Sequence, residues 1–317
     1  MKKISEGKKM WIAVMLIFLA YATIFIIFDD YDRKRFHPFN MAEDWHLVTF
    51  SIAAMTVLGL ILLRFARQMD RRISREQAEQ QALMRRELTQ NIAHELKTPV
   101  ASILGYTDTL LDNPQIGPEQ RQHFLVRTNF QARRLTALLT DLSTLNRMDF
   151  ATDMIHIERV NVDNIVADII AESEFEINNR NQTYKNYLPE DIIIEGNKQL
   201  IYTIFRNLTD NALHYAGDGA SVEITARNEG DQWRFTFADN GVGISEEHLP
   251  RLFERFYRVD KGRSRAMGGT GLGLAIVKNS VNFHGGQISA SCPPNGGVQF
   301  QFTLKIKHNR ASEANQT

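Results

Sequence analysis

The chain of 317 residues contains one cysteine, Cys292. A single cysteine forms no intrachain disulfide and seeds no Cys/His metal cluster, so an inert thiol is expected. An excess of one charge is also missing: 37 basic residues balance 37 acidic ones. No bulk attraction to nucleic acid follows, and no direct nucleic-acid contact is expected. His94-Glu95 is followed by Thr98 where a zinc protease needs its second histidine, so that metal site is excluded. The glycine run at 268–273 lacks the Lys-Ser/Thr of a P-loop. Ile276 stands where a dinucleotide fingerprint needs its last glycine, and no strand immediately precedes the run.

Two long apolar runs are present. Residues 10–28 are uncharged over about 19 positions and residues 47–63 over about 17, lengths that span or nearly span a bilayer. Trp11 and Trp45 sit near run ends, as interfacial aromatics do. Lys2, Lys3, Lys8 and Lys9 precede the first run, and Arg64, Arg67, Arg71, Arg72 and Arg75 follow the second. Between them Asp29, Asp30, Asp32, Glu43 and Asp44 outnumber Arg33, Lys34 and Arg35. The positive-inside rule then predicts a multi-pass protein of the inner (cytoplasmic) membrane, with residues 1–9 and everything after 63 in the cytoplasm. Ala20-Tyr21-Ala22 resembles a signal-peptide cleavage site, but the apolar run continues past it. The loop 29–46 is too short to bury a core of its own.

Residues 64–88 contain neither glycine nor proline and carry only a sparse apolar seam, Met69, Ile73, Leu83 and Leu88. A signalling helix paired with its own copy and a solvated helix held by local ion pairs fit equally well. The helix continues through His94 to about Leu111, and Pro99 removes the N–H that would bond the Glu95 carbonyl, which predicts a bend. Asn113-Pro114 and Gly117-Pro118 mark a turn, with Pro118 suited to open the next helix. That helix runs to about Met148 with a heptad stripe of Phe124, Thr128, Gln131, Leu135, Leu138, Leu142 and Leu145. Two helices cannot enclose such a stripe, whereas two copies forming a four-helix bundle can, so residues 89–149 predict a homodimer.

From residue 155 strands and helices alternate. Strands are expected at 155–160, 183–187, 192–195, 221–228, 232–238, 287–291 and 298–306. Helices are expected at 162–178, 197–215 and 271–284, with a polar loop at 245–269. Residues 155–307 therefore read as an α/β sandwich of mixed sheet and helices, and 308–317 as a disordered tail.

Three patterns carry chemistry here. Asn207, Asn211 and His214 share one helix face, and asparagine carbonyls suit magnesium. Asp239-Asn240-Gly241-Val242-Gly243 follows a strand, where a carboxylate can accept from an adenine amino group and glycines admit close backbone approach. Gly269-Thr270-Gly271-Leu272-Gly273 opens a helix whose N–H groups can meet phosphate.

Taken in order, these patterns and His94-Glu95-Leu96-Lys97-Thr98-Pro99 resemble the sensor histidine kinases of two-component systems over about 88–304. The H box, the N box (207–215), the first glycine box (239–244), the F box (Leu252-Phe253-Glu254-Arg255-Phe256-Tyr257-Arg258) and the second glycine box (269–274) all have counterparts. The resemblance implies a HisKA-type dimerisation domain and a Bergerat-type ATP-binding domain using ATP and Mg2+. It makes His94 the phosphoacceptor, Glu95 its base, and Thr98 a residue that positions water for dephosphorylating a partner. It assigns Asn211 and Asn207 to the metal, and Asp239, Tyr215, Gly241 and Gly243 to the nucleotide. Gly269, Thr270, Gly271, Leu272 and Gly273 would take the phosphates, with Arg258, Lys261 and Arg265 as cations. His214 stands where the family usually has Lys or Arg, which puts phosphate contact there in doubt. The implied partner is a cytoplasmic response regulator that receives phosphate on an aspartate. No segment is long enough for the usual two-helix signalling module between membrane and kinase.

Overall fold

The computed structural model describes residue 15 and residues 45–150, 155–260, 269–294 and 296–307. The first apolar run apart from residue 15, the loop up to residue 44, Lys261, Arg265 and the 308–317 tail lie outside the described residues. The chain divides into two units, Met1–Glu87 and Leu88–Thr317. In the first, residues 45–87 are helical and form the leading part of α1 (Trp45–Asp112). The second apolar run falls here, and Val57, Leu58, Leu60 and Ile61 are exposed. Among the described residues, no helix is long and apolar enough to cross a membrane. Met69, Ile73 and Leu83 of the sparse seam are exposed as well.

The second unit begins with a helical hairpin. α1 passes through Pro99 without ending. Side-chain hydroxyls add bonds around the proline: Thr98 Oγ1 donates to the His94 carbonyl at 3.2 Å and Ser102 Oγ to the Thr98 carbonyl at 3.1 Å. The turn closes with Ile116 N–H on the Asn113 carbonyl, and α2 (Pro118–Phe150) starts at the proline that suits a first helical position. Phe124 at the turn end of the stripe packs on Tyr106 of α1, with ring centroids 5.7 Å apart. The other end of the stripe is placed differently from expectation. Leu138, Leu145 and Met148 are buried with Leu200, Leu272 and Ile276 of the following domain, and Leu142 and Leu96 pack at the edge. The C-terminal part of the stripe is therefore covered by the same chain.

The α/β domain is built on a five-stranded sheet in the order β2-β4-β5-β7-β6. Its strands are β2 (Thr183–Tyr187), β4 (Ser221–Asn228), β5 (Gln232–Asp239), β6 (Ile288–Ser291) and β7 (Gln299–Lys305). β2 runs parallel to β4 and the other pairings are antiparallel, so the sheet is mixed as expected. β1 (Glu158–Asn161) and β3 (Ile193–Gly196) form a separate antiparallel pair. The core joins the alternating side chains of β4, β5 and β7 to the helices. Phe235 stacks on Phe302 at 5.2 Å, and Phe205 meets both edge-on at 5.6 Å.

The expected helix over 162–178 is two helices, α3 (Val162–Glu172) and α4 (Glu174–Asn179). The break falls at Ser173: its buried hydroxyl bonds the Ile169 carbonyl at 2.8 Å while its backbone opens to φ −95°, ψ 0°, at the edge of the helical region. α5 (Lys198–Tyr215) is capped by Asn197, whose carboxamide accepts from Leu200 N–H at 2.9 Å. α6 (Gly273–Phe283) begins two residues later than the sequence suggests, because Gly271 takes φ +75°, outside the helical region. The polar 245–269 stretch includes a short 3-10 turn at Glu246–Arg251.

Candidate active site

The α5 face, the end of β5 and the start of α6 converge on a cavity of about 470 Å³, a size that suits a nucleotide. One part of its wall is apolar, with Phe237, Ile244, Leu252, Val298 and Phe300. Asp239 stands among them. Its Oδ1 accepts from Gly241 N–H at 2.9 Å, and burial pushes its carboxyl above the usual carboxylate range. The glycines beside it are sterically required: a Cβ on Gly241 would lie 2.1 Å from the Ala216 carbonyl oxygen. Gly243 lines the cavity; Gly241 does not, and serves by holding Asp239.

The rest of the wall is polar. Asn207, Asn211, His214 and Tyr215 of α5 line it together, as the helical spacing predicts. Asn207 Nδ2 donates to the Thr203 carbonyl at 2.8 Å, and its Oδ1 lies only 2.4 Å from where a Cβ on Gly273 would be. Gly273 is therefore the residue that lets α6 approach Asn207. His214 Nδ1 lies 2.6 Å from the Asp210 carbonyl. A carbonyl only accepts, so Nδ1 carries a proton and a neutral ring offers Nε2 as an acceptor. Asp210, which the spacing argument passed over, also lines the cavity and pairs with Arg206 at 3.1 Å; burial raises its carboxyl. Gly269, Thr270, Gly271 and Gly273 complete this wall, whereas Leu272 turns away and is fully buried in the apolar cluster with α2. Carbonyl and carboxamide oxygens of this kind fit a hard divalent cation.

Two residues of the hairpin, Ala137 and Asp141, also line the cavity. Asp141 Oδ2 accepts from Thr270 Oγ1 at 2.7 Å, and burial raises its carboxyl above the ordinary range. Nearby, His94 has a 67% exposed side chain, with Nδ1 4.0 Å from Glu95 Oε1. Glu95 itself is nearly covered. Its Oε2 accepts from Arg134 Nη2 at 2.9 Å and from Arg258 Nη2 at 3.2 Å. Arg258 also donates to the Gly269 carbonyl at 2.7 Å. The arginine expected at phosphate thus holds the carboxylate expected to be the base. Arg134 and Asp141 carry no motif in the sequence; each lies one residue before a leucine of the heptad stripe, Leu135 and Leu142. Cys292 Sγ bonds the Ile244 carbonyl at 3.3 Å and has no further part in the site.

Known families match in the same places. Residues 84–151 match the His Kinase A (phospho-acceptor) domain, and residues 196–308 match the histidine kinase-, DNA gyrase B- and HSP90-like ATPase domain. The sensor-like histidine kinase SenX3 of Mycolicibacterium smegmatis is 35% identical over 222 residues, covering 70% of this chain and 57% of SenX3. The signal transduction histidine-protein kinase BaeS of Escherichia coli is 34% identical over 238 residues, covering 74% of this chain and 50% of BaeS. The chain spans about half the length of the curated relatives it matches. A crystal structure of the histidine kinase ThkA in complex with the response regulator protein TrrA shares the fold at TM-score 0.57 and 22% identity, covering 69% of this chain and 61% of that one. With a phospho-acceptor hairpin followed by this ATPase domain, and curated relatives of the same kind, the chain belongs to the sensor histidine kinases of two-component systems.

Proposed function

We propose that the chain is a membrane-anchored, homodimeric protein-histidine kinase. It transfers the γ-phosphoryl group of ATP to His94 and then to an aspartate of a cytoplasmic response regulator, whose phospho-aspartate it also hydrolyses. The observation that carries this reading is the arrangement at Glu95: one carboxylate oxygen faces an exposed imidazole while the other is anchored by two guanidiniums. A neutral imidazole is a nucleophile near pH 7. His94 Nε2 attacks the γ-phosphorus, the bond to the bridging oxygen breaks, and its electron pair leaves with ADP. The proton on Nδ1 passes to Glu95 Oε1.

In the cavity Asp239 would accept from the adenine amino group between apolar walls, and Tyr215 would flank the nucleotide. The glycine turn at 269–273 would take the phosphates on the N-terminus of α6. Mg2+ would be held by Asn211 and Asn207 and would neutralise phosphate charge. His214 is expected to contribute less to phosphate than a lysine would. The placement of Thr98 one helical turn after His94 supports a bidirectional surface for the regulator, and the ThkA–TrrA complex supports a regulator as partner. Exposed apolar residues on the hairpin, Val100, Leu104 and Leu111, support a second copy as their cover. The uncharged run 47–63 followed by five arginines supports a cytoplasmic-membrane anchor.

Incubation with γ-labelled ATP tests the reaction. The native chain is expected to acquire acid-labile label and His94→Gln to acquire none. Label retained by His94→Gln would remove the phosphoacceptor assignment.

A further inference from the structure

The polar wall of the cavity is already bonded, and to the hairpin. Thr270 has one hydroxyl proton, and it is given to Asp141 Oδ2 at 2.7 Å, a length typical of a charge-assisted bond. Its oxygen accepts from Leu272 N–H at 3.2 Å. The hydroxyl therefore has no proton left for a phosphate. Arg258 is in the same position. Its side chain is 5% exposed and its Nη2 is shared between Glu95 Oε2 and the Gly269 carbonyl. Its Nε is buried and has no hydrogen-bond partner among the described residues, and it lies 3.0 Å from where a Cβ on Gly271 would stand. A buried N–H this close to the glycine turn leaves a donor that an anion bound there would satisfy. Two hairpin carboxylates thus occupy a hydroxyl and a cation at the start of α6, where a helix N-terminus favours phosphate.

We propose that Asp141, with Glu95, stands in for the terminal phosphate of ATP, and that Asp141 makes the docked chain discriminate in favour of nucleoside diphosphate over triphosphate. This rests on the kinase reading above. In that reaction the γ-phosphate is the one delivered to the hairpin, so groups that the hairpin inserts into the cavity meet the nucleotide at its γ end. A triphosphate must displace Asp141 from Thr270 and Glu95 from Arg258. A diphosphate leaves both bonds in place. Asp141 and Asp210 also line the same cavity, so a further negative charge brought there is opposed by both carboxylates. Arg134, which holds Glu95 from within the hairpin, keeps that carboxylate paired when Arg258 turns to phosphate. The same exchange therefore frees Arg258 for the nucleotide without leaving the base unpaired.

The test is a titration of the full-length chain in detergent with ADP and with a β,γ-imido analogue of ATP. Native protein is compared with Asp141→Ala and Asp141→Asn. The ratio of analogue affinity to ADP affinity is expected to rise about tenfold in Asp141→Ala, the fold-change one hydrogen bond to a charged group is worth. It should rise less in Asp141→Asn, which keeps an oxygen to accept from Thr270 but no charge. ADP binding by either variant shows that it has folded. An unchanged ratio in both variants, with both nucleotides bound, overturns the discrimination and leaves the kinase reading standing. Failure of the native chain to bind either nucleotide overturns both.

Discussion

Single side chains in the cavity hold function against stability. Asp239 is the clearest case, because burial raises its carboxyl while backbone hydrogen bonds, that from Gly241 N–H first, partly compensate. A carboxyl raised on folding binds its proton more tightly in the folded chain, so stability falls as pH rises from the unfolded value through the folded one. At neutral pH the ionised group is a net cost to the nucleotide-free protein. Asp239→Asn removes that cost and keeps an oxygen for Gly241. Its melting temperature without nucleotide is expected to equal or exceed that of the native chain near neutral pH. The gap should close as pH falls through the raised folded value toward the ordinary carboxylate value, below which the carboxyl is protonated in both folded and unfolded chain. If Asp239 accepts from the adenine amino group as proposed, nucleotide affinity should fall by at least about tenfold, because a carboxamide would pair less well with it. Calorimetry at several pH values checks the first outcome and titration the second; a melting temperature well below native near neutral pH would show that Asp239 is structural.

At the scale of elements, the boundary between hairpin and α/β domain is the least anticipated feature. Leu145 is 2% exposed and Leu138 3% exposed, packed on α5 and on the start of α6. Truncating Leu145 to Ala should cost about 2–5 kcal/mol of that contact. Because this cluster is separate from the sheet core, the cost should appear locally. Hydrogen exchange is expected to quicken in the first turn of α6 and the end of α2, while β4, β5 and β7 keep their protection. Uniform acceleration across the sheet would show that the two clusters unfold together. The division of the 162–178 helix and the late start of α6 are of the same kind. Ser173 and Gly271 each impose a local backbone geometry that hydrophobic spacing does not record.

At the scale of the molecule, the expected homodimer concerns what the single chain leaves uncovered. Val100, Leu104 and Leu111 are 41%, 55% and 77% exposed, on the helix that carries His94. Replacing Leu104 and Leu111 together by Asp should convert a dimer to a monomer in sedimentation equilibrium, since each buried carboxylate would lack a partner. A dimer that survives the double replacement would place the interface elsewhere.

Local chemistry in the sequence determined most of the elements and the donors in the cavity. β2 and β4 fall within their expected bounds because alternation along a half-buried strand is a local property. Asn207, Asn211 and His214 share a face because helical geometry fixes which residues share one. Asp239 and the second glycine turn were legible as local motifs, a carboxylate at a strand end followed by glycines and a glycine run opening a helix. Tertiary structure alone decided which surface covers the C-terminal half of the α2 stripe, since a leucine carries no record of its neighbour. It alone paired Glu95 with Arg134 and Arg258, and Thr270 with Asp141, across separations of 39, 163 and 129 residues. Such bonds depend on how two domains dock. Docking is set by the summed shape and charge of both surfaces, which no short stretch of sequence contains.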